Sequence, residues 1–231
     1  MRKRTTTHSA QSFAALIGIV ILTGFTDASQ AASEKVVYAF GTNGTRDGFN
    51  PPSNLIAVNG TLYGTTEGGG TSCCGTVFSI TPDGTESLLY SFGTSGATDG
   101  SDPRAGLTYF RGALYGTTYY GYGHCRRGSV FSVSLSGAER AVHCFGSPPD
   151  GRRPNAGLIH LHGTLYGTTS LGGASGHSGT VFSLSPNGTE HVLHDFGRGG
   201  RSPQADLINV GGTLYGTTAE GGRYGGGQFS R

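Results

Sequence analysis

Thr61-Leu62-Tyr63-Gly64-Thr65-Thr66 reads TLYGTT, and the chain writes it again as ALYGTT at 113–118, TLYGTT at 164–169 and TLYGTT at 213–218. The starts lie 52, 51 and 49 residues apart. Near-identical hexapeptides at near-constant spacing mark either a repeated chemical site or a structural unit that needs neighbours. The surroundings repeat too. An aromatic segment comes first: VVYAFG at 36–41, LLYSFG at 88–93, AVHCFG at 141–146 and VLHDFG at 192–197. NLIAV at 54–58, GLTYF at 106–110, GLIHL at 157–161 and DLINV at 206–210 come second. LYGTT is third. The fourth is VFSI at 77–80, VFSV at 130–133 and VFSL at 181–184, with QFSR at 228–231 as a weaker copy.

These segments are β-branched and aromatic with apolar residues at period 2, as Val36, Tyr38 and Phe40 show. No helical stripe occurs. Asn59-Gly60, Arg111-Gly112, His162-Gly163 and Gly211-Gly212 predict two-residue hairpin turns between the second and third strands. TPDGTE, LSGAE and SPNGTE predict tight turns between one unit's last strand and the next unit's first. The other two connections are long and glycine-rich. Because antiparallel strands reverse direction, all the long connections leave from one end, which is where a functional surface is expected.

A repeat of about 50 residues with four strands is the size of one propeller blade. The expected fold is therefore all-β: a propeller-like array of four four-stranded antiparallel units, over approximately 36–80, 88–133, 141–184 and 192–231. Within LYGTT, leucine and tyrosine fill the space between units, glycine permits close approach, and the threonines suit strand geometry. The strand at 36–40 is expected to complete the last unit and lock a ring. The alternative is an incomplete, open array with an exposed edge.

Arg2, Lys3 and Arg4 precede the apolar run 13–22, and small residues follow to Ala32. That layout predicts a secretory signal peptide at 1–32 and a repeat domain at 33–231, with no membrane span after cleavage. Removal takes three of 16 basic and one of 14 acidic residues, leaving 13 of each. A nucleic-acid partner, which wants a basic face, is not expected. Glycine reaches 43 residues without a collagen period.

Aspartates recur in the first long connection: Asp47-Gly48, then Asp99-Gly100-Ser101-Asp102, then Asp150-Gly151, each followed by a proline. They read as turn residues binding their own backbone. Ca²⁺ takes six to eight oxygens, too many for these loops, so no cofactor or metal ligand is assigned and Ca²⁺ stays the weaker candidate. His143 and His194 stand where Tyr38 and Tyr90 do and read as flat fillers. His124 and His177 fall in the second long connection. No catalytic signature such as H-E-x-x-H or G-x-S-x-G occurs. Candidate ligand-binding residues on the loop face are Asp47, Asp99, Asp102, His124, Asp150 and His177. Cys73 and Cys125 each fall ten residues after a LYGTT tyrosine, so a disulfide between them is conceivable, and Cys144 reads as a buried filler.

The phrases G-T-V-F-S-hydrophobic, P-D-G-T-E, L-Y-S-F-G, D-G-x-x-P and L-Y-G-T-T-x-x-G-G, over 36–227, resemble the bacterial tandem repeats called GloVer. The resemblance implies an exported, propeller-type protein, secreted or at the cell surface or in the periplasm, and supplies no catalytic residues. Related proteins resemble anchored ones with a sorting signal, which is not recognisable here. The expectation is a binding or structural scaffold, not an enzyme, with a glycan, surface polymer or protein as partner. The alternative is a carbohydrate-active hydrolase or lyase, with Asp99, Asp102, Asp150 and His124 as first candidates.

Overall fold

Glycine beneath phenylalanine sets the geometry of each sheet. In the computed structural model, which describes residues 18–20, 34–42, 44–174, 176–197 and 199–231, Gly64 pairs with Phe78, Gly116 with Phe131 and Gly167 with Phe182. The tip of the ring covers the glycine. A Cβ on Gly116 would stand 2.5 Å from Phe131 Cζ, and one on Gly64 2.6 Å from Phe78 Cζ. Any other residue would lift the ring, and at all four copies, Gly216 included, it would also meet a leucine Cδ2, of Leu55, Leu107, Leu158 or Leu207, at 2.7–3.0 Å.

Three four-stranded antiparallel sheets follow in chain order. The first holds Ile56–Val58, Thr61–Thr66, Thr76–Ile80 and Glu86–Ser91. The second holds Thr108–Phe110, Ala113–Thr118, Ser129–Ser134 and Glu139–Cys144. Ile159–Leu161, Thr164–Thr169, Thr180–Leu184 and Glu190–Asp195 form the third. A last sheet contains Gly200–Pro203, Ile208–Val210, Thr213–Gly221 and Gln228–Ser230. The protein is thus all-β and built of repeated four-stranded antiparallel sheets. The hairpin turns adopt the expected positive φ at both central residues, for example 50° at Arg111 and 82° at Gly112.

Sheets and sequence repeats are out of phase. Each complete sheet takes its fourth strand from the following unit, because the tight turn after VFS folds the next aromatic segment back onto it. The expectation that 36–40 completes the last sheet is corrected: Val36–Ala39 pairs with Gly18–Val20 instead. The expected leader otherwise lies outside the described residues. Among them, no helix is long and apolar enough to cross a membrane.

Successive sheets pack face to face. Between the first and second lie Val58, Tyr63, Val77 and Phe92 against Leu107, Leu114, Phe131 and Val133. Between the second and third, Tyr115, Val130 and Phe145 meet Leu158, Leu165, Phe182 and Leu184. Phe92 meets Phe131 edge-on at 5.0 Å, as Phe145 meets Phe182 at 5.3 Å. The two threonines of LYGTT have different tasks. The first crosses to the next unit, Thr65 Oγ1 donating to Ala105 O at 3.1 Å and Thr117 Oγ1 to Ala156 O at 3.0 Å. The second is buried and shares its hydroxyl within the sheet, Thr66 with Thr76 and Thr118 with Ser129, both at 2.7 Å.

The last sheet departs in register. QFSR does not align with VFSI: Phe229 pairs with Thr217 and Ser230 with Gly216. One residue is missing after Gly227, so Phe229 takes the valine's place and Ser230 the phenylalanine's. Ile208, Val210 and Phe229 are 57%, 58% and 67% exposed, whereas Val58 and Val77 at equivalent positions, covered by the next sheet, are 6% and 0%.

Gly116→Ala should lower stability by about 1–3 kcal/mol through overpacking. Gly216→Ala should cost less, since its Cβ would meet only Leu207 Cδ2, at 2.8 Å. Urea unfolding of both variants tests this, and equal midpoints would dissociate the glycine from the phenylalanine above it.

Candidate functional site

The two long connections of each unit interlock at one end of the sheets. Short ladders join them: Gly48–Phe49 with Gly68–Gly69, Gly100–Ser101 with Tyr120–Gly121, and Gly151–Arg152 with Leu171–Gly172. Glycine follows each aspartate because the second LYGTT threonine occupies the space where a Cβ at Gly48 would project.

Beside these ladders the backbone is strained in the same way four times. Asn50, Asp102, Arg153 and Ser202 have φ of 57°, 63°, 56° and 57°. Each precedes a proline, a position that favours extended backbone. Backbone hydrogen bonds hold the conformation, from both sides at Asp102 and Arg153 and from one side at Asn50 and Ser202. Asp102, Arg153 and Ser202 N–H donate to Cys74, Arg127 and Ser178 carbonyls of the preceding unit at 2.9, 2.7 and 2.9 Å. The carbonyls of Asn50, Asp102 and Arg153 accept from Glu67, Tyr119 and Ser170, the residues following LYGTT, at 3.0, 3.0 and 3.1 Å. Strain so over-determined often accompanies a functional site.

The side chains on this uniform backbone are not uniform. The residues after the prolines are Pro52, Arg104, Asn155 and Gln204, and those after LYGTT are Glu67, Tyr119, Ser170 and Ala219. Arg104, Tyr119, Asn155, Ser170, Leu171, Ser202 and Gln204 line a cleft of about 300 Å³. The Arg104 guanidinium sits 3.9 Å over the Tyr119 ring, 2.8 Å from Asp102 and 3.4 Å from Glu67. Glu67 also accepts from Asn50. Of the residues singled out in the sequence, only Asp102 borders this cleft through a direct contact with its lining. Arg104, Tyr119, Asn155 and Gln204 were missed, although their divergence at aligned positions was legible.

The other aspartates bind the loops they belong to. Asp99 is buried and accepts from Gly93, Thr94 and Ser95 N–H at 2.7–2.9 Å and from Tyr90 at 3.0 Å. Asp47 accepts from Gly41 N–H and Tyr38, and Asp150 from Gly146 N–H. His124 and His177 are exposed, His177 lying 3.4 Å from Arg152. The proposed Cys73–Cys125 bridge is corrected: Cys125 is bonded to Cys144, while Cys73 and Cys74 are free. Ser129 pairs with Cys144, so the end of that strand returns to the loop that carries Cys125.

A glutamate from the next unit completes each aspartate environment. Burial, and then Asp47, pushes the Glu86 carboxyl up. Burial, reinforced by Asp99, pushes Glu139 up to about 7. In the third copy His143, Asp150 and Glu190 bring ligand atoms within 4.8 Å of one another, a group that could hold a metal ion. This corrects the reading of His143 as a filler: its Nε2 lies 3.3 Å from Asp150 Oδ2. The sequence hid the group because Glu190 comes from the next sheet, 40 positions after Asp150.

A family profile described as the Gloeobacter/Verrucomicrobia repeat matches residues 23–230. No protein with a curated description matches in sequence. Among solved structures, the chain is similar to a luciferin-regenerating enzyme at 17% identity and TM-score 0.50, covering 88% of this chain and 64% of that one. It is also similar to an α-L-arabinofuranosidase from Clostridium thermocellum at 16% identity and TM-score 0.48, covering 93% and 75%. The chain spans less than two thirds of the luciferin-regenerating enzyme, and at such identities the likeness is one of fold. The expectation of a non-enzyme is nevertheless corrected. The fold is shared with an enzyme, and His143, Asp150 and Glu190 bring groups capable of acid–base and metal chemistry together.

Glu139 makes stability depend on pH. Its folded-state pKa of about 7 exceeds the ordinary 4.5, so the folded protein holds the proton more tightly and loses stability as pH rises between those values. The carboxyl remains partly open to solvent, so a loss of about 1 kcal/mol is expected. Glu139→Gln should flatten that decline in urea midpoints measured from pH 4.5 to 7.5; an identical decline in both proteins would refute it.

Proposed function

The chain belongs to the Gloeobacter/Verrucomicrobia repeat family, and from that premise we propose that it is an exported, carbohydrate-active hydrolase working at the loop face of a propeller-type array. The observation that carries this reading is the cleft of about 300 Å³, where aligned positions on a common backbone bear different polar side chains. A pocket of this size accepts one or two sugar rings. Asn155 and Gln204 amides both donate and accept, matching hydroxyl groups that do the same. Tyr119 holds the Arg104 guanidinium over its ring, which fixes that group beside the cleft.

Asp102 and Glu67 supply the carboxyl groups, gathered on either side of Arg104. In hydrolysis one carboxyl group protonates the leaving oxygen while the glycosidic C–O bond breaks, and the other, as carboxylate, takes a proton from the water whose oxygen bonds to the anomeric carbon. The expected leader at 1–32 supports export, and a polysaccharide outside the cell is the substrate class that fits.

Reducing-sugar release by the full chain on arabinan, xylan, pectin and bacterial exopolysaccharide tests the proposal. One polymer should be cut, and Asp102→Asn and Glu67→Gln should each lower turnover by about 100-fold or more with unchanged circular dichroism. No release from any polymer, or full activity in both variants, would overturn it.

A further inference from the structure

We propose that His143, Asp150 and Glu190 form a site for one zinc-class divalent ion, created by the replacement of tyrosine with histidine in one of three otherwise equivalent clusters. This inference is independent of the hydrolase reading. The clusters are Tyr38, Asp47 and Glu86; Tyr90, Asp99 and Glu139; and His143, Asp150 and Glu190, each linking a strand, the loop that follows it and the next unit's first strand. In the first two the phenol donates to the aspartate, Tyr38 to Asp47 at 2.9 Å and Tyr90 to Asp99 at 3.0 Å. A phenol held that way offers a cation little.

Histidine changes the chemistry. An imidazole nitrogen and two carboxylate oxygens lie within 4.8 Å of one another, and the ring is held edge-on against Phe145, centroids 5.0 Å apart. Asp150 uses Oδ2 for Gly146 N–H at 2.7 Å and for His143. Its Oδ1 is buried with no hydrogen-bond partner, as Asp47 Oδ1 is in the first cluster, but in the third the glutamate oxygen, Glu190 Oε1, is left so as well, a cost a protein does not normally leave uncompensated. A cation satisfies both. The nearby cations do not: Arg127 and Arg152 direct their guanidinium groups to the Gly146 and Gly176 carbonyls.

One nitrogen and two carboxylate ligands suit zinc, with a fourth position left for water. Ca²⁺ would want six or more oxygens and no imidazole. Because Glu190 and His143 belong to different sheets, the ion would also tie the second sheet to the third.

Equilibrium dialysis of the full chain, stripped with chelator and returned to ZnCl₂, should give one ion per chain and a raised thermal midpoint. His143→Tyr rebuilds the arrangement of the second cluster, so it should fold with the midpoint of the stripped protein and bind no ion at this site. Glu190→Gln, a second route should that variant fold poorly, should weaken binding by about ten-fold or more. His194→Tyr, at the equivalent place in the fourth unit where Gly199 replaces the aspartate, should bind as the parent does. No zinc bound by the parent, binding undiminished in His143→Tyr and Glu190→Gln, or stabilisation by Ca²⁺ but not zinc would each overturn the assignment.

Discussion

The contact between a strand glycine and the phenylalanine lying across it is the constraint on which the repeat depends. It admits the ring to the seam between sheets, where a second phenylalanine from the preceding sheet meets it edge-on. That seam then positions the first LYGTT threonine to bond the neighbouring unit's carbonyl. Remove the ring and the later contacts weaken together. The third seam shows this, for Ser230 stands where the phenylalanine should, and Thr168 Oγ1 is buried without the partner that Thr65 and Thr117 have.

Cohesion in this chain is carried by strands and loops in different currencies. The strands supply apolar burial between sheets. The loops, too rich in glycine to bury much, rely on carboxylates that accept several backbone N–H groups, as Asp99 does. Each such acid borders a second, partly buried acid contributed by the next unit, whose carboxyl burial and then the neighbouring aspartate push up. Histidine in the third copy is one answer to that pairing; protonation of Glu139 is another.

Much of the fold was legible because its determinants are local. Alternation gave the strands, Asn59-Gly60 and its equivalents gave the hairpins, and strand reversal put both long connections at one end. What escaped was relational. The tight turns between units were read, but not their consequence that each aromatic segment belongs to the sheet before it, as Glu139–Cys144 does beside the loop of Cys125, which bonds Cys144 and not Cys73. The shifted register of Phe229 was written as a single missing residue after Gly227, but its similarity to VFS masked it. The cluster of His143, Asp150 and Glu190 spans a sheet boundary, so no motif within one unit contains it.

The four pre-proline residues give the loop face an unusual freedom. In three of them the backbone N–H carries the bond to the preceding unit, whichever side chain is attached, and aspartate, arginine and serine all serve. Architecture and recognition are thereby written in separate atoms of the same residues. A lineage can revise what this surface grips one letter at a time, and the scaffold beneath need not be renegotiated.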